Sequence, residues 1–139
     1  MPIVSVTRLR LRSIRFLPLF FVHAQRVIAQ IRKSEGHLAG AVKSDGNLVY
    51  WTITVWRDEI AMRAFAASGA HRSAMPHVHD WCSESGVVHW VQDAANLPDW
   101  PEAVRRLAQE GRATKLRHPS PDHAGLTYPA PSGRYSMRL

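Results

Sequence analysis

The sequence predicts an α+β fold, an antiparallel sheet with helices laid against it, and three observations lead there. Residues 48–56 carry β-branched and aromatic side chains on both alternating sets, Leu48/Tyr50/Thr52/Thr54/Trp56 and Val49/Trp51/Ile53/Val55, the pattern of a central strand covered on both faces. The turn residues Ser44, Asp45, Gly46 and Asn47 tie that strand to the one before it as a hairpin, with Asp45 and Gly46 expected to supply the positive φ angles. Helical spacing over 16–33 and again from Asp58 onward alternates with the strands, giving the order strand, helix, strand, strand, helix, strand.

That order is the split βαβ pattern of a ferredoxin-like βαββαβ sheet, with helices on one face and the other face bare. A bare face carrying Val and Trp cannot be left in water. Pairing with a second copy is the simplest remedy, so a homodimer is expected.

The elements follow in order. Residues 3–12 form a first strand, with Ile3, Val4, Val6, Leu9 and Leu11 on its apolar face, a phase slip near Thr7, and Arg8, Arg10 and Arg12 on the other face. Three cations on one strand face mark a solvated or edge face. The alternative is that one of them points into a cavity to hold a carboxylate, a propionate or an oxyanion. A helix over 16–33 follows, with Pro18 in its first turn and Arg32 and Lys33 at its end. Its apolar start imitates a secretory leader, yet the apolar face of Leu17, Phe20, Phe21 and Ala24 continues through Val27, Ile28 and Ile31, as one amphipathic helix requires. The run is also too short to span a bilayer. A second strand over 37–43 leads into the hairpin.

After the central strand, Asp58 caps a helix in which Ile60, Ala61, Ala64, Phe65 and Ser68 recur until Gly69 stops it. Another helix begins near His71 and is expected to break at Pro76. Residues 86–92 make the fourth strand. One domain over 1–93 is thus followed by an extension over 94–123, with a helix from Trp100 capped by Asp99 and stopped by Gly111, and by a Pro/Gly/Ser-rich tail over 124–139, read as irregular or laid across a neighbour.

Composition bounds the function. The 139 residues carry a net charge of +7, but the arginines are scattered and no helix-turn-helix, zinc spacing or stacking platform accompanies them, which argues against nucleic acid. A lone cysteine, Cys82, rules out an internal disulfide framework and suits a reducing cytoplasm.

Val55-Trp56, Met62, Ala64-Phe65-Ala66, His71, Trp81 and Glu84, in that spacing, resemble the spheroidene monooxygenase-like group of the dimeric α+β barrel superfamily. The resemblance covers most of residues 3–92. It implies a homodimer with a pocket between sheet and helices in each subunit, oxygenase chemistry on a hydrophobic, flat small molecule, and haem b as a cofactor; cofactor-free acid–base enzymes and non-catalytic binders occupy the same scaffold.

The candidate residues cluster between 50 and 89. His71, with Met75, Val78 and Cys82 on its helix face, is an axial ligand, a general base, or a helix cap bonded to a carbonyl at the turn before it. His77 pairs at i, i+4 with Trp81, and His79 faces away from them. Those imidazoles do not share one face, so they do not form a zinc set. His89 points opposite Trp90, toward the helices if Trp90 lies in the dimer core. His71 and His89 are the candidate catalytic pair; His71, His77, Arg8 and Trp81 are the candidate cofactor contacts. Tyr50, Trp51, Phe65, Met75 and Phe20 are candidate pocket walls, with Tyr50 and Trp51 on opposite strand faces.

Overall fold

The structure is a computed structural model that describes residues 1–131 and 136–139. Strands β1 (Ile3–Leu11), β2 (His37–Asp45), β3 (Val49–Trp56) and β4 (Cys82–Val91) alternate with helices α1 (Leu17–Lys33), α2 (Glu59–Ala66) and α3 (Gly69–Trp81). The extension adds α4 (Trp100–Glu110), β5 (Arg112–Ala113) and β6 (Ser136–Arg138). All strand neighbours are antiparallel, in the order β5-β4-β1-β3-β2-β6. Its inner four, β4-β1-β3-β2, are the predicted ferredoxin-like sheet.

Both predicted caps are in place. Asp58 accepts a hydrogen bond from the Ala61 amide at 2.8 Å and Asp99 one from the Glu102 amide at 2.8 Å, each satisfying a donor the helix itself cannot. Pro18 and Pro101 sit in first turns, where a missing amide hydrogen is harmless.

One face of the sheet packs on α1, α2 and α3. Leu11, Trp81 and Cys82 close one end of that layer, and Ile3, Trp56, Ala61 and Met62 the other. The opposite face is where the expectation fails. Val4, Val6, Trp51, Ile53, Val55, Val88 and Trp90 are buried there beneath Ala103 and Leu107 of α4 and beneath Leu126 and Tyr128. The argument for a second copy rested on this face being bare, and the chain's own extension covers it.

Gly86 makes that closure possible. A Cβ on this β4 residue would lie 2.8 Å from Leu126 Cδ2 and 3.3 Å from Leu107 Cδ1, so glycine marks the close approach of the extension to the strand. Gly86→Ala is expected to cost about 1–3 kcal/mol through overpacking, read from urea unfolding.

Four local expectations are corrected. First, β1 does not slip near Thr7; its irregularity falls between Arg10 and Leu11. Val4, Val6 and Arg8 therefore stay in phase on one face, and Arg8 is buried instead of solvated. Second, α3 starts at Gly69, whose φ is +59°, and runs unbroken through Pro76. One lost backbone bond is outweighed because Val78 and Trp81, beyond the proline, pack into the Leu11 cluster. Third, the positive φ angles of the β2–β3 turn fall on Asn47 (65°) and Leu48 (66°), not on Asp45 and Gly46. Fourth, the tail is not wholly irregular: Ser136–Arg138 pairs with β2 as an edge strand, while residues 132–135 of that segment lie outside the described residues.

Candidate functional site

The helical face carries an aromatic and imidazole array in the angle between α1 and α3. Trp81 closes α3, and the turn of helix before it brings His77 flat onto the indole, with centroids 4.5 Å apart and planes 23° apart. From α1, His23 reaches within 4.8 Å of the His77 ring and 5.7 Å of Trp81. Phe16 stacks on Trp81 at 5.9 Å. Phe20 meets Tyr50 of β3 at 4.8 Å. Partial burial, followed by the charges of His77 and Arg26, holds the His23 pKa below its ordinary 6.5. A neutral imidazole at neutral pH can accept a proton.

The predicted residues separate on inspection. His77, Trp81, Phe20 and Tyr50 come together in this array. His71 does not join it: its Nδ1–H donates to the Ala66 carbonyl oxygen at 2.9 Å and its ring packs on Phe65 at 4.9 Å. That is the capping alternative, with the carbonyl two residues before the expected Ser68-Gly69 turn. His89 is exposed on β4, within reach of the charges of Arg112, Arg63 and Glu59. Trp51 is fully buried on the α4 face. Phe65 stacks on Trp56 at 5.0 Å, in the α2 corner. Met75 is half-buried on α3. His23 was missed, because an isolated histidine inside an apolar helical run gives no spacing signal, and its partner lies on another helix.

Arg8 takes part in a second arrangement, on the α4 face. Its Nη1 donates to Glu84 Oε1 at 2.6 Å, the side chains being only 8% and 3% exposed. The Tyr128 ring lies against the guanidinium at 3.5 Å, and Ser120 donates to Glu84 Oε2 at 2.8 Å. The extension is pinned alongside: His123 Nδ1 accepts from the Ser85 amide at 3.2 Å and its Nε2–H donates to the Thr114 carbonyl at 2.7 Å. His123 is thus a structural residue of the extension, and Cys82, wholly buried with its thiol pKa pushed up to about 12 by burial, is unreactive.

These placements do not fit a histidine-ligated haem. A cleft of about 470 Å³ lies at the Arg10 end of β1, and a smaller one of about 280 Å³ beside Phe65. Neither is lined by a histidine, and Arg8, the expected propionate partner, is committed to Glu84. Among the described residues no group of three His, Cys, Asp or Glu side chains is placed to hold a metal ion. Among them, too, no helix is long and apolar enough to cross a membrane.

Solved structures of similar shape include a conserved protein from Methanosarcina mazei Go1, with TM-score 0.60, 14% identity, and coverage of 67% of this chain and 94% of that one. Rv0793 from Mycobacterium tuberculosis gives TM-score 0.60 and 15% identity, over 69% of this chain and all (100%) of that one. SnoaB from Streptomyces nogalater, a cofactor-independent oxygenase, gives TM-score 0.51 and 18% identity, over 70% of this chain and 98% of that one. No curated protein matches. In fold the chain is a ferredoxin-like α+β protein, a shape it shares with these solved structures. It belongs to the family defined by a domain of unknown function, DUF3291, whose model matches residues 23–123.

Proposed function

We propose that the chain is a cofactor-independent, monooxygenase-like enzyme that takes a flat hydrophobic small molecule against the array of His23, His77, Trp81, Phe16, Phe20 and Tyr50. The observation that carries this reading is the pair of imidazoles 4.8 Å apart, one stacked on the Trp81 indole and the other in an edge contact with it. The half-buried rings of Phe16, Phe20 and Tyr50 offer a planar ligand stacking surfaces, with Trp81 buried between Phe16 and His77 as their support. Neutral His23 removes a proton from a phenol or an acidic carbon of that ligand, and the resulting carbanion or phenolate is the electron donor. A C–O bond forms to dioxygen at a carbon bearing hydrogen, and the peroxide so made breaks its O–O bond as that hydrogen leaves, giving a carbonyl and water. The oxygenase named SnoaB, on the same fold, supports the chemistry by analogy. The finer likeness to the spheroidene monooxygenase-like group rests on the sequence motif alone.

A second reading, a binder without turnover, draws support from the exposure of His77, since an exposed base works without the water exclusion that enclosed sites provide. One experiment separates them. Oxygen uptake is followed with a panel of polycyclic phenols, with ligand binding followed in parallel by tryptophan fluorescence. The enzyme reading expects uptake that falls at least tenfold in His23→Ala and in His77→Ala while ligand still quenches fluorescence. Quenching with no uptake across the panel makes the chain a binder, and neither signal removes the array as a site.

A further inference from the structure

The larger cleft belongs to neither the array nor the α4 core, and its walls have a composition of their own. It opens where β1 ends, with Arg10, Leu11 and Arg12 on one side, the β2–β3 turn residues Asn47 and Leu48 on another, and Ser83 at the start of β4. We propose that this cleft binds an amphiphilic monocarboxylate, its carboxylate held by Arg10 and its hydrocarbon laid on Leu48 and Ile14.

Charge decides the head group. The ion-paired side chains at this end of the sheet are Arg8, Arg10 and Arg12 against Glu84 and Asp80, which leaves one positive charge over. Arg8 takes Glu84 Oε1 at 2.6 Å and Ser120 takes Oε2 at 2.8 Å. Arg12 donates through Nε to the Asp80 carbonyl at 2.7 Å. Arg12 also keeps its Nη2 3.8 Å from the Asp80 carboxylate and is the less exposed of the two, at 25%. Arg10 has the looser tie: its only carboxylate neighbour among the described residues is that same Oε2, 3.8 Å away, and its side chain is 44% exposed. A planar guanidinium fork matches a carboxylate in bidentate fashion, and one surplus charge suits a monoanion better than a phosphate dianion. The buried Arg8–Glu84 pair behind it keeps Glu84 from swinging over to neutralise Arg10.

Apolar surface decides the tail. Ile14, at the rim, is 73% exposed, among the most exposed large apolar side chains of the chain. Leu48 sits at φ 66°, a conformation that an apolar residue adopts only at a cost of about 1–3 kcal/mol, and from there it lines the cleft. The volume, about 470 Å³, falls within the range of small-molecule sites. The head-group contact stands or falls independently of the histidine array: Leu11 and Leu48 pack beside Phe16, Phe20, Tyr50 and Trp81, but Arg10 takes no part in that chemistry.

The test is calorimetric titration of the full chain with sodium decanoate below its micelle concentration, with decanol and inorganic phosphate as comparison probes. The expected result is saturable one-to-one binding of decanoate, at least tenfold weaker for decanol and for phosphate. Arg10→Ala should weaken decanoate at least tenfold and Arg10→Lys less, with circular dichroism unchanged. Arg15→Ala, which removes an exposed arginine outside the cleft, should bind as the parent does. Absence of saturable decanoate binding overturns the proposal. So do equal losses in Arg10→Ala and Arg15→Ala, which would mean general attraction to a basic surface, and so does phosphate binding as tightly as decanoate.

Discussion

Replacing Arg8 with alanine is expected to destabilise the fold by about 3–5 kcal/mol, because it strands a buried carboxylate. The guanidinium and Glu84 are 2.6 Å apart and almost wholly buried. The Tyr128 ring rests on the cation at 3.5 Å, so the substitution also loosens the tail that covers the sheet. The double variant Arg8→Met with Glu84→Leu should recover most of the loss, since an apolar pair of similar size avoids the desolvation that two charges suffer. Acid unfolding gives an independent readout. Desolvation is the largest influence on the Glu84 carboxyl and raises its pKa. The hydrogen bonds from Arg8 and Ser120 and the charges of Arg8 and Arg10 together overcome it, holding the folded value below the ordinary 4.5. Folding therefore favours the ionised form. The resulting stability is complete above pH 4.5 and is lost as the pH falls through the folded value. In Arg8→Ala the desolvation is less opposed, so the acid limb of stability should move to higher pH; an unmoved limb would mean that Glu84 is solvated.

Arg8 is also where sequence and structure part company for a definable reason. A phase slip at Thr7 would have put Leu9 and Leu11 on the same face as Val4 and Val6, which hydropathy favours. The strand instead stays regular and buries a cation, because Glu84 waits opposite and Tyr128 arrives from 120 positions later, information that strand periodicity does not hold. The ferredoxin-like order was legible because each of its elements carries a local signal: alternation in β3, a cap at Asp58, turn residues at Asp45 and Gly46. Covering of the second face was less legible. Ala103 and Leu107 are an i, i+4 pair that α4 buries completely, but nothing local says which surface receives them. The other half of the cover, Leu126 and Tyr128, lies in proline-rich chain that reads as tail. At the candidate site His77 and Trp81 were legible because they share a helix face, and His23 was not, because its role exists only through a contact between two helices.

The covering of that face can be put to the test at its centre. Trp51→Ala is expected to cost about 3–5 kcal/mol, the range for deleting a large aromatic side chain from a core. Trp51 is 0% exposed in the middle of β3, packed among side chains from α4 and the tail, and the Arg8 guanidinium lies 5.8 Å from its ring centroid. Removing the indole opens a cavity and exposes one side of a buried ion pair. Trp51→Phe should be much milder, about 1 kcal/mol, because the indole Nε1–H is buried without a hydrogen-bond partner among the described residues and its removal relieves a desolvation cost that partly offsets the lost contact. Because Trp51 and Arg8 are neighbours, the double variant Trp51→Ala with Arg8→Ala should depart from additivity by about 0.5–3 kcal/mol in a double-mutant cycle. Sedimentation across the series joins this to the question of a second copy. A Trp51→Ala variant that loses less than about 1 kcal/mol, the size of a surface effect, would mean that the extension does not close over β3, and the sheet face would again be free to pair with another chain. A loss in the expected range, with the sedimentation of the parent unchanged by dilution, leaves α4 and Tyr128 as the partner this face has.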